Sequence, residues 1–400
     1  MPSRKYFVSY KNYFIVSLLH YTIKPFYYIL NAFSFKKQKA KKILFIELGH
    51  LGDMLTSTRA IELVKLNFKE YEIDCICSKS GANGLINNHI VNNIIVIEPP
   101  CWYEDDKRGN FFKVLGSFLN LVSSIKNSNA EIVVNFRSTS YHLDHLAIAF
   151  SGVKRKVGFG HKGLDFLMSD AYIPHPNSEI IPLLKIELIY NWLKIPLSNG
   201  LENRPLFFPN TSFGDNIKNL FLENNISTQK KIIAINVGAQ HNFWWPINRV
   251  QDLCELIHDK LCGFQIVFVG LKEHEFFVEE IRNKLNFSTT SLLGKTDLSL
   301  LYEFMHQIEV LFTIDTGIRH IANAAGANVI VLRSGAENYN AFGKYISTEW
   351  VLINKVSCSP CGKKNCPLNT NECINGITAL SVFQQLETLI GLKKISLNEA

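Results

Sequence analysis

The strongest constraint on this chain is a repeated order in its 400 residues: short apolar runs, each closed by a glycine or polar loop and followed by helical spacing. In the first half the runs are Ile43–Ile46, Ile73–Cys77, Ile94–Ile97 and Ile132–Phe136, with helices predicted over 54–66 and 111–126. Runs that do not alternate apolar with polar residues are covered on both faces, and intervening helices are the crossovers that parallel strands require. A proline-dense stretch near 160–230, with one helix predicted around 182–194, interrupts this order and reads as the connection between domains. The order restarts with strands at Ile232–Val237, Gln265–Val269, 310–314 and 328–332, and helices at 249–262, 274–285, 298–307 and from 318. An amphipathic helix over 377–391 closes the chain. The expectation is an α/β protein of two doubly wound parallel-sheet domains facing each other across a cleft, 43–205 and 206–376, with a closing helix and tail over 377–400.

With 47% hydrophobic and 19% charged residues the chain can bury large cores, which excludes general disorder. Its net charge of +7 is local, because residues 1–42 carry nine Lys or Arg and no Asp or Glu. The remainder holds 33 basic against 35 acidic side chains. Such a near-neutral body lacks the basic face that nucleic acid demands, so no nucleic-acid partner is expected. Residues 1–42 also hold 11 of the 47 aromatics, set between lysines. Rings at headgroup level with lysines against anionic lipid suit the cytoplasmic face of a membrane. The uncharged runs 12–23 and 25–35 fall short of the roughly 20 residues of a spanning helix. No small-residue cleavage site follows them, so a cleaved signal peptide fits poorly. The expectation is an interfacial segment; packing on the body, disorder and a span are the alternatives.

Ligands of doubly wound sheets lie beyond the carboxyl ends of the strands, which directs attention to the loops there. After the first run comes Gly49-His50-Leu51-Gly52-Asp53. Asp53 reads either as a helix N-cap that satisfies orphan N–H groups or as a carboxylate available as general base. The loop after Val237 is Gly238-Ala239-Gln240-His241-Asn242-Phe243-Trp244-Trp245-Pro246, and the loop after Val269 carries Glu273, His274 and Glu275. After Ile314 the chain reads Asp315-Thr316-Gly317-Ile318-Arg319-His320. Thr316 and Gly317 opening a helix offer a hydroxyl and backbone N–H groups to a phosphate, with His320 one turn on; capping is the alternative there too.

These motifs, in this order over about 43–390, resemble glycosyltransferase family nine, the lipopolysaccharide heptosyltransferase group. The matching pieces are Leu51-Gly52-Asp53, the loop from Gly238 to Trp245-Pro246, the glycine-plus-acid loop 270–275, Asp315-Thr316-Gly317-x-x-His320 and a late cysteine cluster. The resemblance implies a GT-B fold of two Rossmann-like domains, with the acceptor on the first and a nucleotide-sugar donor on the second. It implies inverting transfer that needs no metal, with Asp53 as the base that deprotonates the acceptor hydroxyl. Thr316, Gly317 and His320 would hold the leaving nucleoside diphosphate, Asp315 would help place the donor, and Glu273 or Glu275 would bind sugar or ribose hydroxyls. A lipid-linked glycan acceptor and a peripheral place on the cytoplasmic side of the inner membrane follow from the same resemblance. Three positions depart from the family pattern: Phe243 where a lysine near the donor phosphates is common, Glu47 where an arginine is usual, and Arg59 in place of a proline. Phe243 keeps two alternatives open, a different nucleotide sugar (or an epimerase of the same fold) and a non-catalytic, membrane-tethered binding protein.

Cys358, Cys361, Cys366 and Cys373 gather four of the nine cysteines in sixteen residues. Their spacing fits a structural zinc as one reading, with free thiols and disulfides as the others.

Overall fold

A computed structural model describes residues 40–103, 111–138, 142–160, 165–175, 180–196, 203–210, 214–238, 243–336, 341, 343–363 and 365–397. The expected interfacial segment over residues 1–39, the loop residues 239–242 with His241, and Lys364 lie outside the described residues. The chain divides into two compact units, Met1–Leu201 and Glu202–Ala400.

In the first unit the strands β1 (Ala40–Glu47), β2 (Glu72–Cys77), β3 (Asn93–Val96), β4 (Ala130–Asn135), β5 (Arg155–Phe159) and β6 (Asp170–Tyr172) form one sheet in the order β3-β2-β1-β4-β5-β6. Every pairing is parallel. The crossovers include helices α1 (Leu51–Asn67), α2 (Phe111–Asn127) and α3 (His142–Phe150), and α4 (Ile181–Leu193) follows β6. The first strand starts earlier than the apolar run suggests. Ala40 and Lys41–Lys42, assigned above to the basic extension, are strand residues, and Lys42 pairs with the buried Asp74 at 2.8 Å. The Asp74 carboxylate beside it raises the Lys42 ammonium above its ordinary value.

The second unit repeats this design with β7 (Lys231–Asn236), β8 (Phe264–Val269), β9 (Thr290–Ser291), β10 (Val310–Ile314), β11 (Asn328–Arg333) and β12 (Glu349–Ile353). Their order, β12-β11-β10-β7-β8-β9, is the same permutation read from the other edge, again wholly parallel. Its longer helices are α5 (Asp215–Glu223), α6 (Ile247–Lys260), α7 (Glu275–Lys284), α8 (Leu298–Met305), α9 (Gly317–Ala325) and the closing α10 (Ala379–Leu397). The closing helix belongs to this unit's core: Ala379, Val382, Phe383, Leu386 and Leu389 pack with Ile235, Phe268 and Phe312. In each sheet the strand order reverses once, between β1 and β4 and between β7 and β10. At such a reversal the flanking loops diverge and leave a crevice, which is where doubly wound sheets bind ligands.

Trp245 ties α10 to the sheet. Its ring lies 5.0 Å from Phe312, and its indole N–H donates to the Ile377 carbonyl at 2.9 Å. Trp245→Phe keeps most of the packing but leaves that buried carbonyl unpaired. A loss of about 1–3 kcal/mol is expected, read as a lower urea midpoint.

Candidate functional site

In the first unit the loop after β1 is built on a buried ion pair. Glu47 closes the strand at 3% exposure, and Lys185 reaches it from α4 with an Nζ–Oε2 distance of 2.8 Å. Lys185 Nζ also donates to the Asp53 carbonyl at 2.6 Å, to Ser57 Oγ at 2.9 Å and to Thr56 Oγ1 at 3.1 Å. The other Glu47 oxygen accepts the Gly49 N–H at 3.1 Å. Burial pushes the Glu47 carboxyl up, but the charges of Lys185 and Arg137 outweigh it and hold the group below the usual carboxylate range. Arg137 comes from the end of β4, across the strand-order reversal, with its guanidinium 3.9 Å from the Tyr103 ring centroid.

Asp53 stands on this platform, and it is not the N-cap. His50 occupies that position; Asp53 is the third residue of α1, and its Oδ2 accepts the His50 N–H at 2.9 Å. Its carboxylate lies over Gly49, where an added Cβ would fall 2.6 Å from the Asp53 Cγ, so the loop needs glycine there. Among the described residues Asp53 Oδ1 has no hydrogen-bond partner, and the side chain is half-buried. Gly52, beside it, is buried in the first turn.

In the second unit the reversal lies between β7 and β10. Asn236, the last residue of β7, donates to Thr313 Oγ1 at 2.9 Å and to Thr316 Oγ1 at 3.4 Å, which joins the two strand ends. Thr316 caps α9 through its backbone, without a side-chain hydrogen bond to the helix, and Gly317 is the first helical residue. Gly238 is buried under His274: a Cβ there would meet the imidazole Cε1 at 2.5 Å. The His274 ring sits edge-on to Trp244 at 5.3 Å, and Trp244 stacks on Phe277 at 4.8 Å. Burial holds the His274 imidazole below its ordinary value. The residue at these strand ends is thus His274. Its neighbour Glu273 is 71% exposed, and Glu275 is the partly exposed first residue of α7.

Asp315 and His320 are engaged by protein groups. The Asp315 carboxylate pairs with Arg319 at 2.8 Å and with Arg333. Burial raises it, and the two guanidinium charges more than reverse that, leaving it below the usual range. Arg319 is fully buried, and its guanidinium also meets both oxygens of the equally buried Glu349, with Nη2–Oε2 at 2.8 Å. Asn323 donates to Glu349 Oε1 and to the Tyr345 hydroxyl, both at 2.8 Å. His320 Nδ1 lies 2.6 Å from that hydroxyl. Asp315 therefore acts on the loop through Arg319 and Arg333, and His320 is a 4% exposed partner of Tyr345.

The four clustered cysteines line one cavity of about 360 Å³ together with Phe243, Val356 and Leu368. All are free thiols. Among the described residues no three His, Cys, Asp or Glu side chains are placed to hold a metal ion. Cys373 is buried in an apolar cluster with Phe243 and Ala336, whereas Cys358 is exposed. Phe243 is itself 3% exposed in that cluster, a core residue with no cationic group to offer a phosphate. Arg59, the third departure from the family pattern, forms an ion pair with Glu62 along α1.

Lys185, Asn236, Trp244, Arg319 and Glu349 escaped the reading of the sequence as site residues. A signal existed for two of them. Lys185 is a lone cation among Ile181–Leu184 and Ile186, and Arg319 stands four residues after Asp315, within reach on one helical turn.

Residues 212–371 match glycosyltransferase family 9 (heptosyltransferase). The chain is 24% identical over 315 residues to lipopolysaccharide heptosyltransferase 1 of Campylobacter coli, covering 75% of this chain and 86% of that protein. Among solved structures, a glycosyl transferase family 9 protein of Veillonella parvula superposes with a TM-score of 0.67 at 16% identity, covering 88% of this chain and 98% of that one. The ADP-heptose lipopolysaccharide heptosyltransferase II of E. coli gives 0.64 at 17%, covering 88% and 99%. The fold is that of these heptosyltransferase structures, the GT-B class. The matched domain and the relative make the second unit similar to family 9 and the chain similar to the lipopolysaccharide heptosyltransferases.

Lys185→Met strands the Glu47 charge in the core and is expected to cost about 3–5 kcal/mol, whereas Glu47→Gln with Lys185→Met recovers most of it. Because Glu47 is held below its unfolded value, the pair's stability is complete above about pH 4.3 and is lost as pH falls through the folded value. Urea midpoints measured against pH should therefore fall more steeply for the parent than for the double variant below that pH.

Proposed function

We propose that the chain is an inverting heptosyltransferase that moves heptose from ADP-heptose to a lipopolysaccharide-core or other lipid-linked glycan, at the cytoplasmic face of a membrane, without a metal in the chemistry. The observation that carries the reading is Asp53, held in the first turn of α1 by one oxygen on the His50 N–H while the other stays without a partner among the described residues. A hydroxyl is a poor nucleophile until its proton is taken, and a positioned carboxylate supplies that step. Asp53 Oδ1 accepts the proton as the acceptor oxygen bonds to the anomeric carbon. The bond from that carbon to the nucleoside diphosphate breaks on the opposite face, which inverts the centre. Lys185 bonds the Asp53 carbonyl, so the ion pair beneath the loop fixes where the carboxylate stands.

Negative charge builds on the departing diphosphate. The first N–H groups of α9, with the Thr316 hydroxyl and Gly317, form the donor-side group suited to it. Trp244 and His274 add flat surfaces that suit the base or ribose of a nucleotide. Among the described residues no helix is long and apolar enough to cross a membrane. The basic, aromatic segment 1–39 is read as the membrane-facing part, bringing the enzyme to a lipid-linked acceptor.

Phe243 favours a second reading, in which the donor is another nucleotide sugar, because the buried phenyl ring leaves the phosphates without the cation common at that position. Thermal-shift measurements against ADP, UDP, GDP, CMP and their sugars separate these readings. A selective ADP-heptose shift supports the proposal, another nucleotide replaces the donor, and no shift favours a non-catalytic binding protein.

Asp53→Asn is expected to lower transfer by at least about a hundredfold with nucleotide binding and fold intact, since general-base assistance is worth that much or more. Retained turnover would remove Asp53 from the chemistry. Deleting residues 1–39, just before β1, should release the protein from anionic vesicles in a sedimentation assay; continued binding contradicts the role given to that segment.

A further inference from the structure

A chain of hydrogen bonds runs from Glu349 to His320, and the direction of each link is set by what its groups can give. Glu349, fully buried against Arg319, offers only acceptors. The Asn323 group 2.8 Å from its Oε1 is therefore the amide nitrogen, and the same nitrogen donates to the Tyr345 hydroxyl at 2.8 Å. Both protons of that nitrogen are then used, one on each partner. The Tyr345 hydroxyl keeps one proton to give. Its remaining partner among the described residues is His320 Nδ1, at 2.6 Å. Burial, reinforced by the Glu349 charge, pushes the Tyr345 phenol above its ordinary value, so the hydroxyl keeps that proton.

We infer that Tyr345 is a positioning residue for His320: it donates to Nδ1 and so fixes the imidazole as the neutral tautomer with its proton on Nε2. An imidazolium would bring a second proton to Nδ1 and strand the Tyr345 proton, in a site where the two residues are 5% and 4% exposed. A buried donor left unmet is costly, and the partner of one ring nitrogen decides which nitrogen is protonated. The surrounding charges do not call for a cation either. Asp315 is within electrostatic reach of His320. Asp315 and Glu349, however, are matched by Arg319 and Arg333, so the two carboxylates and two guanidiniums sum to zero. Helix α8, packed along α9, brings Glu303, whose carboxyl is pushed up by burial towards its neutral form.

His320 follows Thr316, the cap of α9, by four positions and so lies on the same side of the first turn. One consequence rests on the proposed function, whereas the tautomer itself does not. Any hydrogen bond that the ring gives the departing diphosphate comes from Nε2 and carries no full charge.

The test reads the ring nitrogens of the full chain, made with isotope-labelled histidine, by long-range proton–nitrogen NMR without nucleotide. The His320 signals are assigned through the Tyr345 ring, whose centroid lies 5.7 Å away. A bare Nδ1 and a protonated Nε2 are expected throughout about pH 6 to 8. A proton on Nδ1 of the parent protein, as the other tautomer or as imidazolium, overturns the proposal, and that measurement needs no variant to fold. Tyr345→Phe keeps the ring and removes the relay, so His320 is expected to titrate within the same range; ring nitrogens unchanged from the parent would equally overturn it. The consequence for the ligand is read separately with ADP-heptose. Its affinity is expected to stay level with pH for the parent and, for Tyr345→Phe, to tighten about threefold or more from about pH 8 to 6, because charge-assisted hydrogen bonds are the stronger ones. The same tightening in the parent would overturn the neutral contact. No binding of ADP-heptose at any pH counts against the donor reading instead, while the ligand-free spectra still decide the tautomer.

Discussion

All ten strand pairings among the described residues are parallel, and that constraint organises everything built on them. Parallel neighbours cannot be joined by tight turns, so each strand must hand over to a crossover that returns the chain to the starting edge. All strand-to-helix loops of a unit consequently gather on one edge, and reversal of strand order opens a crevice among them. Glu47 and Arg137 meet in the first unit for this reason, and Asn236 and Thr316 in the second, although 90 and 80 positions separate the members of each pair.

Each crevice is stiffened by buried charge. Removing ions from water is costly, and such pairs persist where hydrogen bonds occupy their remaining donors and acceptors. Lys185 satisfies this with four oxygen partners around Glu47, Asp53, Thr56 and Ser57. Arg319 does so with Asp315, Glu349 and the Gly343 carbonyl. These networks differ in what they leave for chemistry. The first ends on a backbone carbonyl and leaves an Asp53 oxygen open, whereas the second consumes the Asp315 carboxylate. A carboxylate already held by two guanidiniums serves as a strut, and the groups it leaves at the surface of the loop are the Thr316 hydroxyl and the first turn of α9.

The cysteine lobe shows how a motif and its surroundings part company. Sequence spacing brings four thiols to one cavity, yet Phe243 and Ala336 draw Cys373 into an apolar cluster while Cys358 stays in water. Phe243 fills this cluster at 3% exposure and brings no cationic group to the loop after β7.

Apolar runs and their spacing were enough to reveal the two-unit α/β design and most strands, because burial on both faces leaves a local mark. Elements without that mark escaped. β5 opens on Arg155 and Lys156, and Lys156 is buried with its Nζ on the Val153 carbonyl at 2.8 Å. β12 opens on Glu349, whose burial depends on Arg319 thirty positions earlier. The candidate loops were legible for a similar reason, since glycine and a helix-start carboxylate or threonine are local signatures. Which atoms remain available was decided only by tertiary structure. Asp53 kept an oxygen, Asp315 did not, and His274 took the place at the strand ends expected of a glutamate, because hydrogen-bond partners are supplied by residues far away in the chain.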